Sequence, residues 1–156
     1  MPLAPQEIRT FFVTSVTAGH RAILQTERMS SLLLDVLQDN RKKGRFFLHE
    51  FVIMPDHFHL LVTPSGDVSL EKSVQYIKGG FSFRAGKELD FRGAIWQESF
   101  AEHRVKDPVD YARHRAYIWR NPVKRALVRE AHAFPYSSAY PGAAIDLAPE
   151  WLVGDR

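Results

Sequence analysis

Residues 54–62 read Met54-Pro55-Asp56-His57-Phe58-His59-Leu60-Leu61-Val62, and this stretch organises the rest of the chain. Side chains alternate between the two faces of a strand, so His57 and His59 share one face while Phe58 and Leu60 share the other. Burying two unpaired imidazoles would cost about 1–3 kcal/mol each. They must therefore reach water, find hydrogen-bond partners or share a metal ion, and the motif alone leaves these alternatives open.

The composition limits the classes of protein to consider. The chain has 156 residues, of which 45% are hydrophobic, enough for one domain with its own core. It contains no cysteine, which excludes disulfides and cysteine nucleophiles and leaves nitrogen and oxygen ligands for any metal. There is no apolar run of membrane-spanning length and no signal-peptide pattern at the N-terminus. We therefore predict a cytoplasmic protein.

The first half of the chain is predicted to contain three strands and a helix. β-Branched and aromatic residues indicate a strand at 11–17, and apolar residues at helical spacing predict a helix at 26–43 that ends at Gly44. A second strand follows at 46–54. Turn residues Pro55 and Asp56 predict an antiparallel hairpin between this strand and the one that carries the histidines.

The second half is predicted to contain two helices and a strand. Apolar residues recur at helical spacing from Leu70 to Phe81, with Gly79 and Gly80 near the expected end of that helix. A fourth strand is predicted at 95–105. Asp107 followed by proline is typical of a helix start, and this third helix should run to Asn121, before Pro122.

This order of elements predicts a ferredoxin-like α+β sandwich, βαββαβ, with an additional C-terminal helix. We expect a single domain over residues 1–156, with a core at about 9–130 and an irregular tail at 131–156. The first and third strands should be central, with two helices covering one face of the sheet. His57 and His59 would then lie on the opposite face, against the third helix.

The third helix carries a polar stripe formed by Asp110, His114, Tyr117 and Asn121. A tyrosine hydroxyl can serve as a covalent nucleophile, and an amide oxygen can complete a metal site begun by two imidazoles. Alternatively, Tyr117 is an amphipathic residue at the helix boundary and Asn121 is a C-cap before the proline. The residues alone leave both interpretations open.

Basic residues cluster around Tyr117. Between residues 111 and 130 the chain carries six cations and a single acid, a composition typical of phosphate binding, whereas the net charge of the whole chain is only +3. We predict contact with nucleic acid here and also at two basic residues of the second helix. The candidate residues are Arg113, Arg115, Arg120, Lys124, Arg125, Lys78 and Arg84.

Three blocks of sequence together resemble the REP-associated tyrosine transposases, a family of HUH-type enzymes that act on single-stranded DNA. The blocks are FVIMPDHFHLLV at 51–62, WQESF at 96–100 and YIWRNPVK at 117–124. The resemblance implies a ferredoxin-like fold and a metal-dependent DNA endonuclease and strand transferase. By motif position, it implies that His57, His59 and Asn121 bind Mg²⁺ or Mn²⁺ and that Tyr117 is the nucleophile.

The resemblance also implies the course of the reaction. The phenol of Tyr117 would attack a phosphodiester near a hairpin-forming repeat and give a 5′-phosphotyrosine and a free 3′-hydroxyl. A second 3′-hydroxyl would reverse this step on another strand, so joining would need no ATP. His114 is a further candidate for proton transfer.

Two other functions compete with this one. A cleavage-inactive protein could bind repeat DNA or shape it as an architectural factor on the same scaffold. A small metal hydrolase with a water nucleophile would need further ligands, for which His49 and Glu50 are the nearest candidates. The expected partner is single-stranded or hairpin DNA and no membrane, in a nucleoid-associated bacterial protein that we expect to be a monomer rather than a homodimer.

Overall fold

The computed structural model describes residues 8–153, which form a four-stranded antiparallel sheet with helices on both faces. The strands are β1 Thr10–Val16, β2 Phe46–Met54, β3 His57–Pro64 and β4 Ala101–Val105. The helices are α1 Glu27–Lys42, α2 Leu70–Leu89, α3 Pro108–Lys124 and the short α4 Glu150–Val153. Three 3-10 turns lie at Ala18–His20, Ile23–Gln25 and Ala131–Ala133.

The strand order is β2-β3-β1-β4, so β1 and β3 are central, as predicted. Phe58, Leu60 and Val62 of β3 point into the core beneath α1 and α2, together with Leu33 of α1 and Ile77 of α2. Leu61 packs on the opposite face with residues of α3. The ferredoxin-like prediction is confirmed, and strand alternation places His57 and His59 on the α3 face.

Strand β2 changes the face of its side chains at a β-bulge between Leu48 and Glu50. Before the bulge Leu48 enters the core under α1 and α2, and after it Phe51 does, although their spacing is odd. The extra residue accounts for this change of phase. As a result two polar residues, His49 and Glu50, are buried.

Three helix starts have the caps that their sequences indicate. The side chains of Thr26, Ser69 and Asp107 accept hydrogen bonds from backbone N–H groups in the first turns of α1, α2 and α3. Helix α1 ends just before Gly44, whose φ of 74° is a left-handed conformation that glycine adopts without strain. These boundaries agree with the predictions to within one residue.

The predicted end of α2 at Gly79 and Gly80 is wrong, because the helix continues to Leu89. Phe81 and Ala85, beyond the glycines, are completely buried in the core. This burial outweighs the roughly 1 kcal/mol that each glycine costs in a helix relative to alanine.

Strand β4 and helix α3 also differ from their predicted bounds. Residues 95–100 lie outside β4, and Trp96 forms only an isolated bridge with Thr17. The Trp96 ring packs against Phe58 and Phe81 instead. Helix α3 continues through Pro122 to Lys124. Proline lacks an N–H, but the buried Pro122 ring and a hydrogen bond from the Arg125 N–H to the Asn121 carbonyl support the last turn.

The C-terminal segment runs beside the outer edge of β2. Backbone hydrogen bonds join Ile53 to Tyr136, Phe51 to Ser138 and Leu48 to Asp146, at N···O distances of 2.7–2.9 Å. The edge of β2 is thereby paired instead of exposed. Among residues 8–153, every helix is too short or too polar to traverse a lipid bilayer.

Candidate active site

The two histidines lie near the centre of the sheet, on the face that α3 covers. His57 is 8% exposed and His59 is 4% exposed, and their ring centroids are 4.7 Å apart. His57 follows the Pro55-Asp56 turn directly, and His59 lies opposite Thr14 of β1. The strand period therefore brings both imidazoles together without help from any loop.

Each ring is held by a hydrogen bond through its Nδ1 atom. Asp56 Oδ1 lies 2.6 Å from His57 Nδ1, and Thr14 Oγ1 lies 2.8 Å from His59 Nδ1. The Nε2 atom of His59 is buried and has no hydrogen-bond partner within residues 8–153. When Nδ1 carries the proton, Nε2 keeps its lone pair, which is the usual arrangement of metal-binding histidines.

Burial keeps both imidazoles neutral. Burial, together with the neighbouring His57 and Arg125, lowers the pKa of His59 to about 3. Burial also lowers the pKa of His57, although the Asp56 carboxylate acts in the opposite direction. A neutral imidazole is the form that binds a metal ion, so the protonation state of the pair suits that role.

Helix α3 brings Tyr117 to the histidine pair. Its ring lies nearly perpendicular to the rings of His59 and Phe12, at centroid distances of 5.2 Å and 6.0 Å, and 48% of the residue is exposed. Asn121 is buried one helical turn further on. The structure thus places the Tyr117 ring against His59 and leaves the phenol accessible to a ligand.

Buried Glu50 ties α3 to the sheet. Its Oε1 atom accepts hydrogen bonds from Trp119 Nε1 and Ser138 Oγ, both at 2.7 Å, and Arg115 Nε lies 3.6 Å from Oε2. Arg125, just beyond the helix, lies 3.6 Å from Asp56, the carboxylate that holds His57. These contacts connect the nucleophile candidate's helix to β2 and to the histidine strand.

The residues present fit a divalent cation. Two neutral imidazoles, one with an orphaned Nε2 atom, and the amide oxygen of Asn121 would supply nitrogen and oxygen donors on one face of the sheet. Such a mixed set suits Mn²⁺ and accepts Mg²⁺ when water fills the remaining positions.

The candidate nucleic-acid residues differ in their contacts, and those of Arg115 and Arg125 are given above. Arg113, Arg120 and Lys124 are exposed on α3 and form no ion pair within the described part of the chain. Arg84 on α2 contacts the carboxylates of Asp35, Asp39 and Glu88 instead.

Lys78 on α2 has a structural contact as well. Its Nζ atom donates to the backbone carbonyl of Gln97 at 2.7 Å and lies 3.4 Å from that of Ser99, and burial lowers its pKa. The lysine therefore holds the segment that precedes β4.

Several contacts of the site were missed by sequence reasoning. Asp56 adjoins the histidine motif, so its contact with His57 was available from its position. Thr14 could be identified only from the β1–β3 register, and Glu50 only from the bulge. Phe12 contacts the rings of both His59 and Tyr117, yet in sequence it is one aromatic residue of an ordinary strand.

Comparison with known proteins agrees with this geometry. The family model described as "Transposase IS200 like" matches residues 10–121, which include both histidines, Tyr117 and Asn121. The chain belongs to the IS200-like transposase family. The resemblance inferred from the three sequence blocks is confirmed, and so is the prediction of an enzyme of the transposase class.

Two relatives of this transposase carry the comparison further. It is 30% identical over 147 residues to the REP-associated tyrosine transposase of Escherichia coli strain K12, covering 94% of this chain and 86% of the relative. It also resembles a solved structure of a REP-associated tyrosine transposase bound to a REP hairpin. That similarity has a TM-score of 0.71 at 27% identity and covers 95% of this chain and 88% of the other.

Proposed function

We propose that this transposase cleaves and rejoins single-stranded DNA at hairpin-forming repeats, through a covalent bond between Tyr117 and a 5′-phosphate. The observation that carries the proposal is the contact between the half-exposed Tyr117 and buried His59, whose Nε2 atom has no hydrogen-bond partner among residues 8–153. The relative bound to a REP hairpin supports hairpin DNA as the substrate.

In the proposed reaction, the Tyr117 oxygen forms a bond to phosphorus while the bond from phosphorus to the 3′-oxygen breaks. The phenol loses its proton, and the departing 3′-oxygen gains one to become a hydroxyl. His57, His59 and Asn121 would hold Mg²⁺ or Mn²⁺, which supplies charge stabilisation at the phosphate when bound. Asp56 and Thr14 keep the two imidazoles oriented for that role.

The exposed cations of α3 would bind the DNA backbone on either side of Tyr117. Arg113, Arg120 and Lys124 lie on the same helix as the phenol, so phosphates bound there lie near the nucleophile. Because such contacts release counterions, DNA affinity should fall steeply as salt is added.

The hydrolase alternative is less consistent with the contacts of its candidate ligands. His49 bonds to Thr63 through Nε2 and to the Asp146 carbonyl through Nδ1, and Glu50 binds Trp119 and Ser138. These contacts engage both residues in structural roles.

A covalent-adduct assay tests the proposal. A labelled hairpin oligonucleotide incubated with the protein and Mn²⁺ should give a DNA–protein adduct that survives denaturing electrophoresis. Tyr117→Phe should abolish the adduct, and the matched control Tyr140→Phe, at another exposed tyrosine, should keep it. Cutting without an adduct would instead support the hydrolase, and a shift in mobility without cutting would support the architectural protein.

We further propose that the chain acts as a single-domain monomer in the bacterial cytoplasm, close to the nucleoid. The Tyr117 ring contacts His59 of the same chain, so the nucleophile need not come from a second subunit. Analytical ultracentrifugation at assay concentration tests this, since a dimer as the cleaving species would contradict it.

A further inference from the structure

A second cluster of potential metal ligands lies where β4 meets α3. It consists of His103 on β4 and Asp110 and His114 on α3, and one ligand atom of each residue lies within 4.8 Å of the others. The two imidazole rings stack at a centroid distance of 4.8 Å with an interplanar angle of 25°. The cluster shares no residue with the His57–His59 pair.

The existing hydrogen bonds show which nitrogen of His114 keeps a lone pair and how close the three side chains lie. His114 Nδ1 lies 2.9 Å from the Asp110 backbone carbonyl, so this nitrogen donates and the ring keeps a lone pair at Nε2. The Asp110 carboxylate reaches His103 Nε2 at 2.6 Å and lies 3.2 Å from His114 Nδ1. One ligand atom of each residue lies within 4.8 Å of the others, and ligands of a tetrahedral zinc ion are roughly 3.3 Å apart, so the three donors would have to approach one another by roughly 1.5 Å.

The donor set and its exposure indicate which ions would bind. Two imidazoles and one carboxylate suit Zn²⁺, Co²⁺ or Ni²⁺, whereas Mg²⁺ prefers oxygen ligands. The side chain of His103 is 51% exposed, and those of Asp110 and His114 are each 20% exposed, so an ion can reach them and retain water.

We propose that His103, Asp110 and His114 form a second metal site, for a divalent transition metal, that fixes the first half of α3 to β4. His114 precedes Tyr117 by about one helical turn. The His114 ring also contacts Phe12, which in turn contacts Tyr117. The bound ion would therefore restrict the position of the helix that carries the phenol.

Cobalt binding tests the proposal without DNA, so failure of the cleavage assay would leave its result unchanged. A chain carrying His57→Ala and His59→Ala should still bind one equivalent of Co²⁺, seen by visible absorption. His103→Asn should weaken binding at least about tenfold, since even loss of an outer partner of a metal ligand typically costs that much. The control His132→Asn removes an exposed histidine that pairs with Glu130, away from the cluster, and should leave Co²⁺ binding unchanged.

Thermal unfolding separates metal binding from the hydrogen bond that joins His103 to Asp110. The amide nitrogen of glutamine reaches about as far as His103 Nε2 and can still donate to the carboxylate, so His103→Gln should keep the metal-free Tm while losing the rise in Tm that Zn²⁺ gives the parent chain. If the double variant does not fold, the intact chain gives the same test, because His103→Asn should then bind one equivalent of Co²⁺ fewer than the parent chain. No Co²⁺ spectrum, or equal affinity in His103→Asn, would overturn the proposal.

Discussion

The two faces of the sheet differ in composition although β3 supplies alternate residues to both. Under α1 and α2, Phe58, Leu60 and Val62 join a continuous apolar core. Under α3, His57 and His59 are almost as deeply buried, and His59 retains an orphaned nitrogen. The larger apolar core thus lies on one face, whereas on the α3 face a smaller apolar cluster accompanies buried polar groups.

The largest contrast is expected between neighbouring residues of β3. Phe58→Ala should lower the free energy of unfolding by about 3–5 kcal/mol, because it leaves a cavity in the apolar core. His59→Ala should cost about 1 kcal/mol, because the lost ring had an unbonded Nε2 atom, and should abolish cleavage. Urea denaturation and the adduct assay measure the two effects, and equal stability losses would contradict this division between the faces.

The face of the sheet under α3 also contains the buried carboxylate of Glu50. A second pair of variants measures its contribution to stability. Glu50→Ala should cost about 1–3 kcal/mol, because it leaves Trp119 Nε1 without its acceptor and removes a hydrogen bond of Ser138 Oγ. Glu50→Gln keeps an acceptor oxygen and should cost less. The control Glu102→Ala, at an exposed position of β4, should stay within about 0.5 kcal/mol. A loss as small in Glu50→Ala as in the control would show that Glu50 does not hold α3.

Acid should destabilise the folded protein, because it contains buried histidines. Burial lowers the pKa of His49 in the folded protein, so the unfolded chain binds the proton first as the pH falls. The stabilisation is complete above the ordinary histidine pKa of about 6.5 and is lost as the pH falls below it. Tm measured from pH 8 to 5 should decline, and His49→Asn should make the decline shallower. An unchanged slope would exclude His49 as a contributor, and exposed His132→Asn provides the control.

The smallest effect is expected for the basic residue that faces carboxylates. Arg84→Ala should cost only about 0.2–1 kcal/mol of stability, as is usual for surface ion pairs, and should leave DNA affinity nearly unchanged. Arg120→Ala should weaken DNA binding and should reduce the slope of log affinity against log salt concentration by about 1. Fluorescence anisotropy at several salt concentrations compares them. Equal losses would show that Arg84 binds DNA as the sequence predicts.

The sequence predicted those features that depend on local periodicity. Alternation along residues 57–62 gave the faces of both histidines, and helical spacing together with Asp107 gave α3 and the stripe that carries Tyr117. Position in a strand or helix determines these directions before any tertiary contact forms. The ferredoxin-like order of strands followed from the same patterns.

Features that depend on distant partners could not be predicted in the same way. The bulge at His49 is accompanied by contacts with Asp146, about a hundred residues away in sequence. Arg84 appeared to be a free cation because Asp35 and Asp39 belong to another helix. His103 escaped notice because only the approach of β4 to α3 brings it to Asp110.

Pairing between the C-terminal segment and β2 also has a consequence for synthesis of the chain. Leu48, Phe51 and Ile53 receive their outer backbone partners from residues 136–146, which leave the ribosome long after the hairpin itself. Until then the rim of β2 exposes unpaired N–H and C=O groups that a neighbouring nascent chain can join. Emergence of residues 136–146 therefore closes a route to aggregation that stays open while the chain between the hairpin and this segment is being made.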